Sequence, residues 1–260
     1  MDFFTEILEF CDTIAEKIGK QLLEDFGKVQ ADEKADGSLV TRSDKWADIE
    51  ITQAIKAAFP THGILSEEGD HVFPENEYCW IIDPLDGTTN FARGIPIWAI
   101  SMALFHHGRP VFGYVSLPPL GQTFHAFSDQ AFLNKRPIHT SQRPPGKNEF
   151  FSFCSRSIAS IEHPFSCKIR MLGVASYNFL NVAAGWTLGG VEATPKIWDI
   201  AAVWTIVKAA GGCWVSLESE TLFPLEPGKD YSQKNYPTMV ISKEEWGPVF
   251  KPLIAVKKFG

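Results

Sequence analysis

Trp80-Ile81-Ile82-Asp83-Pro84-Leu85-Asp86-Gly87-Thr88-Thr89-Asn90-Phe91 joins an apolar run to two aspartates and a glycine turn, and the architecture follows from it. Trp80 to Ile82 is a short apolar run of the kind that forms a buried strand. It delivers Asp83 at the carboxyl end of that strand, where open α/β sheets keep their ligand sites. Pro84 fixes φ and has no N–H, so the strand is expected to stop there. Asp86 follows three residues after Asp83, and Gly87-Thr88-Thr89 leaves N–H groups and hydroxyls free around a turn. Two hard carboxylates beside an anion-receptive turn suit Mg2+ and a phosphate that Mg2+ also touches. Taken alone, Asp-Pro-Leu-Asp-Gly also reads as a turn with a capping Asp. It is not an EF-hand loop, because the alternating acids and the closing bidentate Glu are missing.

Outward from this stretch, composition narrows the function classes. The chain has 260 residues, 45% of them hydrophobic, enough for one large domain or two fused ones with a real core. Net charge is -7 with no basic block, so nucleic acid and acidic membrane are poor partners. An acidic protein that handles phosphate needs local positive charge, which bound metal supplies. No apolar run reaches membrane-spanning length, and Met1-Asp2-Phe3-Phe4-Thr5-Glu6 has no basic leader region, so no signal peptide is expected. Cys11, Cys79, Cys154, Cys167 and Cys213 are odd in number and scattered, which points to free thiols in a reducing, cytoplasmic setting.

Before the central stretch, apolar residues at Ile7, Cys11, Ile14, Ile18 and Leu22 predict a helix over 3–26, stopped by Gly27. Residues 28–38 are polar and read as a loop. A second helical pattern runs from Ser43-Asp44 to Phe59, and Asp44 suits its first turn. Gly63-Ile64-Leu65-Ser66 is a short apolar segment that delivers Glu67-Glu68, an acidic pair that is usually a solvated turn. After the central stretch, residues 98–105 and 111–117 predict a β-hairpin turned by His107-Gly108-Arg109-Pro110. His106 and His107 are expected as turn residues, because neighbours on a strand point to opposite faces and no carboxylate is near in sequence. Short strands are expected at 123–127 and 131–134. Residues 139–149 are polar and Pro-rich, the best boundary in the chain. Beyond it come strands at 150–154 and 168–172, with a short helix between them, and a helix at 177–184. Residues 201–210 form a helix closed by Gly211-Gly212, with Asp199 a good helix-start acid. Closing strands at 213–216 and 237–242 precede a terminal helix from Glu244.

The string from Asp83 to Phe91 closely resembles the first signature of the inositol monophosphatase family, the lithium-sensitive, Mg2+-dependent sugar and polyol phosphatases. Trp198-Asp199-Ile200-Ala201-Ala202, followed by Ala210-Gly211-Gly212, resembles the second. Leu39-Val40-Thr41 with Asp44, Glu67-Glu68 and Gly173-Val174-Ala175 are similar to further family elements, so the resemblance covers essentially the whole sequence. Departures are Ser66 for a usual Gly, Arg93 for a usual His, Val174 for a usual hydroxyl residue, and a shortened spacer between Glu67 and Asp83. The spacer and Ser66 keep Glu68 as an alternative to Glu67.

The resemblance implies an α/β (α+β) chain folded as a five-layered αβαβα sandwich of the inositol monophosphatase / fructose-1,6-bisphosphatase type. Residues 1–140 would be an N-terminal α+β half with Glu67 and the 83–91 motif, and 150–260 a C-terminal α/β half with the 198–202 motif. It implies that Glu67, Asp83 and the Leu85 carbonyl hold one metal, and that Asp83, Asp86 and Asp199 hold a second. A third, weaker Mg2+ would bind near Glu67, with Li+ as inhibitor and Ca2+ as a further candidate inhibitor. Thr88, oriented by Asp44, would position the attacking water, so Thr88, Asp44 and Glu67 are the catalytic candidates. Substrate would lie on Leu85, Asp86, Gly87, Thr88, Gly173, Val174, Ala175, Glu192 and Asp199. The Gly87 and Thr88 N–H groups would hold phosphate, and Glu192 the inositol hydroxyls. Lys, Arg, Cys and His residues near the motifs receive no catalytic role. The implied partners are a small phosphorylated polyol or sugar and a second copy in a homodimer, with no nucleic acid and no membrane. Inositol 1-phosphate is the leading substrate. Histidinol phosphate, kept open by Val174, or another sugar or nucleotide phosphate is the alternative within the fold, and a metal-binding scaffold without catalysis is the alternative from another class.

Overall fold

The computed structural model describes residues 2–35, 37–161, 164–218 and 221–255. Helix α1 (Phe3–Asp25) forms on the expected face, with Ile7, Cys11, Ile14, Ile18 and Leu22 all buried. Helix α2 (Arg42–Ala58) starts from a reciprocal cap: the Ser43 N–H donates to the Thr41 hydroxyl oxygen, and the Thr41 N–H donates to Asp44. Residues 28–38 are not wholly loop. They contain β1 (Ala31–Glu33), paired antiparallel with β2 (Leu39–Thr41). Three largely exposed residues leave no apolar alternation by which to read such a strand.

The first sheet has seven strands in sequence order: β3 (Gly63–Ser66), β4 (Tyr78–Asp86), β5 (Ala99–His106), β6 (Arg109–Leu117), β7 (Gln122–Phe127), β8 (Gln130–Leu133) and β9 (Arg136–Pro137). Only the β3–β4 pairing is parallel. Side chains of β4 alternate between two cores. Trp80 and Ile82 pack with α1 and α2, while Cys79 and Ile81 pack on the other face. That second face is covered by α4 (Ala175–Ala183) and α5 (Ile197–Ala209).

Strand β4 does not stop at Pro84. Its ladder with β5 reaches Asp83 opposite Ser101, shifts register, and resumes at Asp86 opposite Ala99. Pro84 and Leu85 sit in this bulge, where no ladder N–H is required. The bulge therefore keeps both aspartates on one strand end.

The second sheet has the order β11-β10-β12-β14-β13, from β10 (Phe150–Phe153), β11 (Lys168–Arg170), β12 (Gly189–Glu192), β13 (Cys213–Ser216) and β14 (Thr238–Ile241). Phe151, Phe153, Met239 and Ile241 form its outer core with Phe250 of α6 (Gly247–Phe250). The layers are α1 and α2, the first sheet, α4 and α5, the second sheet, and α6 with its flanking turns: the αβαβα sandwich. The expected terminal helix is broken into single turns, with Pro248 and Pro252 at the starts of two of them. Glu192, expected to meet the inositol hydroxyls, ends the buried strand β12.

The turn between β5 and β6 is tighter than expected. His107-Gly108 alone makes it, both at positive φ (48° and 73°), as a two-residue hairpin requires. Leaving extended backbone at His107 brings the two histidine rings together, 4.3 Å between centroids, rather than to opposite faces. Glu77, remote in sequence, stands beside them. No helix among the described residues is long and apolar enough to cross a membrane. Cys11, Cys79, Cys154, Cys167 and Cys213 are all unpaired.

Candidate active site

Five elements bring their ends to one cavity of about 370 Å3. Strand β3 delivers Glu67, β4 delivers Asp83, Leu85 and Asp86, α3 (Thr88–Arg93) delivers Thr88, β12 delivers Glu192, and the first turn of α5 delivers Asp199. Gly173, Val174 and Ala175, the lead-in to α4, form the facing wall. Asp83, Asp86 and Asp199 each place a carboxylate oxygen within 4.8 Å of the others. Glu67 lies outside that triad of oxygens, and its charge helps push the Asp83 carboxyl up.

Local structure holds each acid. The Leu85 N–H donates to Asp83 at 3.0 Å, across the bulge. Ala175 and Ser176, the first residues of α4, donate their N–H groups to Asp86 at 3.3 and 2.8 Å. A carboxylate at a helix N-terminus is favoured by the unpaired N–H groups there. The Lys196 N–H donates to Asp199 at 2.6 Å, so Asp199 caps α5 from its third position. α5 starts four residues earlier than the pattern suggested, at Ile197, and this places Asp199 inside the helix rather than ahead of it.

Thr88 and Asp44 meet as well. The Thr88 hydroxyl donates to Asp44 Oδ1 at 2.7 Å, with the Leu85 carbonyl 3.1 Å away. Asp44 Oδ2 accepts from the Thr41 N–H at 2.8 Å and from its hydroxyl at 2.5 Å. Asp44 is thus both a helix cap and the partner of Thr88, one oxygen for each role. Burial pushes its carboxyl above the usual range, and the Thr41 and Thr88 hydrogen bonds oppose that.

The acids are displaced in one direction. Asp83 and Asp199 are pushed well up by burial and by neighbouring carboxylates, and Asp86 is pushed up by burial. Glu67 is pushed up to about 7, chiefly by burial, against the pull of Lys34. Crowded, buried carboxylates that repel one another fit a divalent cation. The donor set is all oxygen, which suits Mg2+ rather than a softer ion.

Gly87 stands at φ +96°, left-handed backbone that favours glycine. A Cβ there would come within 2.6 Å of Val174 Cγ2 and 3.3 Å of the Ile97 carbonyl. Asn90 ties the same turn to the far wall, donating to the Ile97 and Leu172 carbonyls at 2.9 and 2.8 Å. Val174, in place of a hydroxyl residue, is fully buried against this turn. Glu192 is buried, accepts from Asn178 Nδ2 at 2.5 Å, and is pushed up to about 7 by burial.

Four residues were missed from the sequence. Lys34, from the connection between β1 and β2, bonds Glu67 Oε1 at 2.9 Å and also bonds Glu68. Burial disfavours its charge, but the two glutamates outweigh that and raise its basicity. Glu68 turns to Lys34, while Glu67 lines the cavity. Arg156 and Cys154 line the opposite end, with Arg156 bonded to the Thr194 hydroxyl at 2.9 Å. A single lysine among polar residues carries no motif, so only the tertiary contact reveals it. His71 also reaches the site, its Nε2 at 2.8 Å from the Glu67 carbonyl and its ring stacked on Trp198 at 5.3 Å.

Comparison with known proteins identifies the family. The sequence model described as the inositol monophosphatase family matches residues 4–245. A fructose-1,6-bisphosphatase/inositol-1-monophosphatase of Thermotoga maritima is 35% identical over 214 residues, 79% of this chain and 82% of that one. A histidinol-phosphatase of Chlorobaculum parvum is 32% identical over 221 residues, 80% of this chain and 85% of that one. The solved structure of Thermotoga maritima IMPase superposes with a TM-score of 0.82 at 30% identity, over 95% of this chain and 96% of that one. The chain belongs to the inositol monophosphatase family of phosphatases.

Proposed function

We propose that the protein is a Mg2+-dependent phosphate-monoester hydrolase and that inositol 1-phosphate is its substrate. The observation that carries this reading is the convergence of Asp83, Asp86 and Asp199, with Glu67 beside them, onto the cavity that Thr88 lines. Glu67, Asp83, the Leu85 carbonyl, Asp86 and Asp199 would hold two to three Mg2+ ions. When bound, such ions polarise phosphoryl oxygens and lower the pKa of water. Li+ and Ca2+ would inhibit by competing for the same oxygens.

The chain's own residues then have these tasks. Asp44 engages the Thr88 proton, so the Thr88 oxygen keeps lone pairs to accept from a water and aim it. The N–H groups of Gly87 and Thr88 would receive phosphate oxygens, which the left-handed turn at Gly87 permits. Glu192, with Gly173, Val174 and Ala175, would face the alcohol portion of the ester. A buried carboxylate is an acceptor for polyol hydroxyls. We read residues 1–140 and 150–260 as two halves of one catalytic unit that works in the cytoplasm as a homodimer.

Histidinol phosphate is the second reading. Val174 offers no hydroxyl to a polyol, and Glu192 would also pair with an amine. Phosphate release from inositol 1-phosphate, histidinol phosphate and fructose 1,6-bisphosphate, compared by kcat/KM with Mg2+ and with chelator, tests the proposal. The highest value for inositol 1-phosphate, abolished by chelator and by Asp83→Asn, is expected. Mg2+ binding without turnover on any of the three would replace the enzyme by a metal-binding scaffold.

A further inference from the structure

At the end of β4 remote from Asp83, three side chains with metal-ligating atoms come together. Glu77 immediately precedes β4, His106 ends β5, and His107 opens the turn into β6. The backbone fixes their approach: Tyr78 pairs with His106, and the His107 N–H donates to the Glu77 carbonyl at 2.9 Å. His106 Nε2 lies 3.1 Å from Glu77 Oε1. One ligand atom from each of the three lies within 4.8 Å of the others. The His106 ring is also held from behind, stacked on Tyr78 at 4.7 Å, which stacks in turn on His62 at 5.2 Å.

Two imidazole nitrogens and one carboxylate oxygen are the donors of a transition-metal site, not of a Mg2+ site. Bonds of about 2.0–2.2 Å in a tetrahedral shell put neighbouring donors roughly 3.3 Å apart. The His106–Glu77 pair already has nearly that spacing. Glu77 and His107 are exposed, so rotation of their side chains can close the wider distance. Asparagine is the common residue at the first position of such a turn, and histidine is among the few others that tolerate it. Here that choice places an imidazole beside its neighbour.

We propose that Glu77, His106 and His107 form a second metal site, selective for a divalent transition ion such as Zn2+, with water completing the shell. Bound there, the ion clips the start of the strand that carries Asp83 and Asp86 to the β5–β6 turn. The proposal is independent of the phosphatase reading, because the site shares no residue with the acid cluster.

Calorimetric titration of untagged, full-length protein with Zn2+ under saturating Mg2+ tests it, with Asp83→Asn used to cripple the acid cluster. One Zn2+ should bind both the wild type and Asp83→Asn. His107→Asn, which suits the same turn and should fold, should weaken that binding by more than about tenfold, the lower end of what disturbing even a ligand's supporting partner does. Glu77→Gln and His106→Ala should act likewise. Co2+ in place of Zn2+ should give the visible absorption of a nitrogen-ligated ion in Asp83→Asn and lose it in Asp83→Asn with His107→Asn. Zn2+ affinity unchanged by His107→Asn and Glu77→Gln, or no Zn2+ uptake by Asp83→Asn, would overturn the proposal.

Discussion

Asp44 divides its two oxygens between Thr41 and Thr88: Oδ2 closes the cap of α2, and Oδ1 receives the Thr88 hydroxyl at 2.7 Å. The helix start and the reactive end of the cavity therefore share one carboxylate.

That sharing separates two substitutions. Thr88→Val should lower kcat by about two to four orders of magnitude, the usual share of a positioned proton-handling group. Its melting temperature should stay near wild type. Thr41→Val removes the hydroxyl side of the cap, which is worth about 1 kcal/mol, and should spare most of the turnover. Paired melts and initial rates would refute the division if the two variants behaved alike.

The acid cluster should weigh on the metal-free fold. Asp83 is pushed up by burial and by Glu67, Asp86 and Asp199. An acid with a raised folded pKa is disfavoured when ionised, so this contribution to stability falls as pH rises past the ordinary carboxylate range. In chelator near neutral pH, Asp83→Asn should melt a few degrees above wild type, roughly what 1 kcal/mol gives a domain of this size. Mg2+ should raise the wild-type midpoint and leave that of Asp83→Asn nearly still. An Asp83→Asn protein that melts lower in chelator would show that repulsion does not dominate.

Gly87→Ala should damage the turn twice. Left-handed backbone costs a non-glycine residue about 1–2 kcal/mol, and the new methyl group would meet Val174 Cγ2 at 2.6 Å. Activity should fall more than tenfold. Adding Val174→Ala relieves the contact but not the backbone, so recovery should be partial. Full recovery would mean that φ at Gly87 is irrelevant.

His125 gives the opposite pH sign. Burial lowers its pKa from the ordinary 6.5, against the pull of Asp12, and its ring stacks on both Phe127 and Phe132. A histidine kept neutral in the fold contributes stability above its unfolded pKa and loses it as pH falls below. Between about pH 7.5 and pH 5.5, either side of the ordinary value, His125→Phe should lose less stability than wild type in urea unfolding. Equal losses would assign the acid sensitivity elsewhere.

Much of this was legible along the chain because its signals are local. Helical spacing marked α1 and α2, and hydrophobic runs marked β4, β5 and β6. The acids of the cluster were named from two motifs more than a hundred residues apart. What misled was also local. Proline suggested that β4 ends at Pro84, since nothing nearby announces a bulge. Alternation sent His106 and His107 apart, since a left-handed residue is invisible in a strand pattern.

Along the chain, one can read which residue types are available and which short segments carry them: the acids, the glycine turn after Asp86 and the hydroxyl of Thr88. Tertiary structure alone decided that Asp86 would be gripped by the first turn of α4, that Lys34 would sit on Glu67, and that Glu77 would meet two histidines. The reason is physical. Motifs are set by backbone geometry over a few residues, whereas these contacts depend on how packed layers bring distant chain ends together, and that follows from the whole pattern of burial.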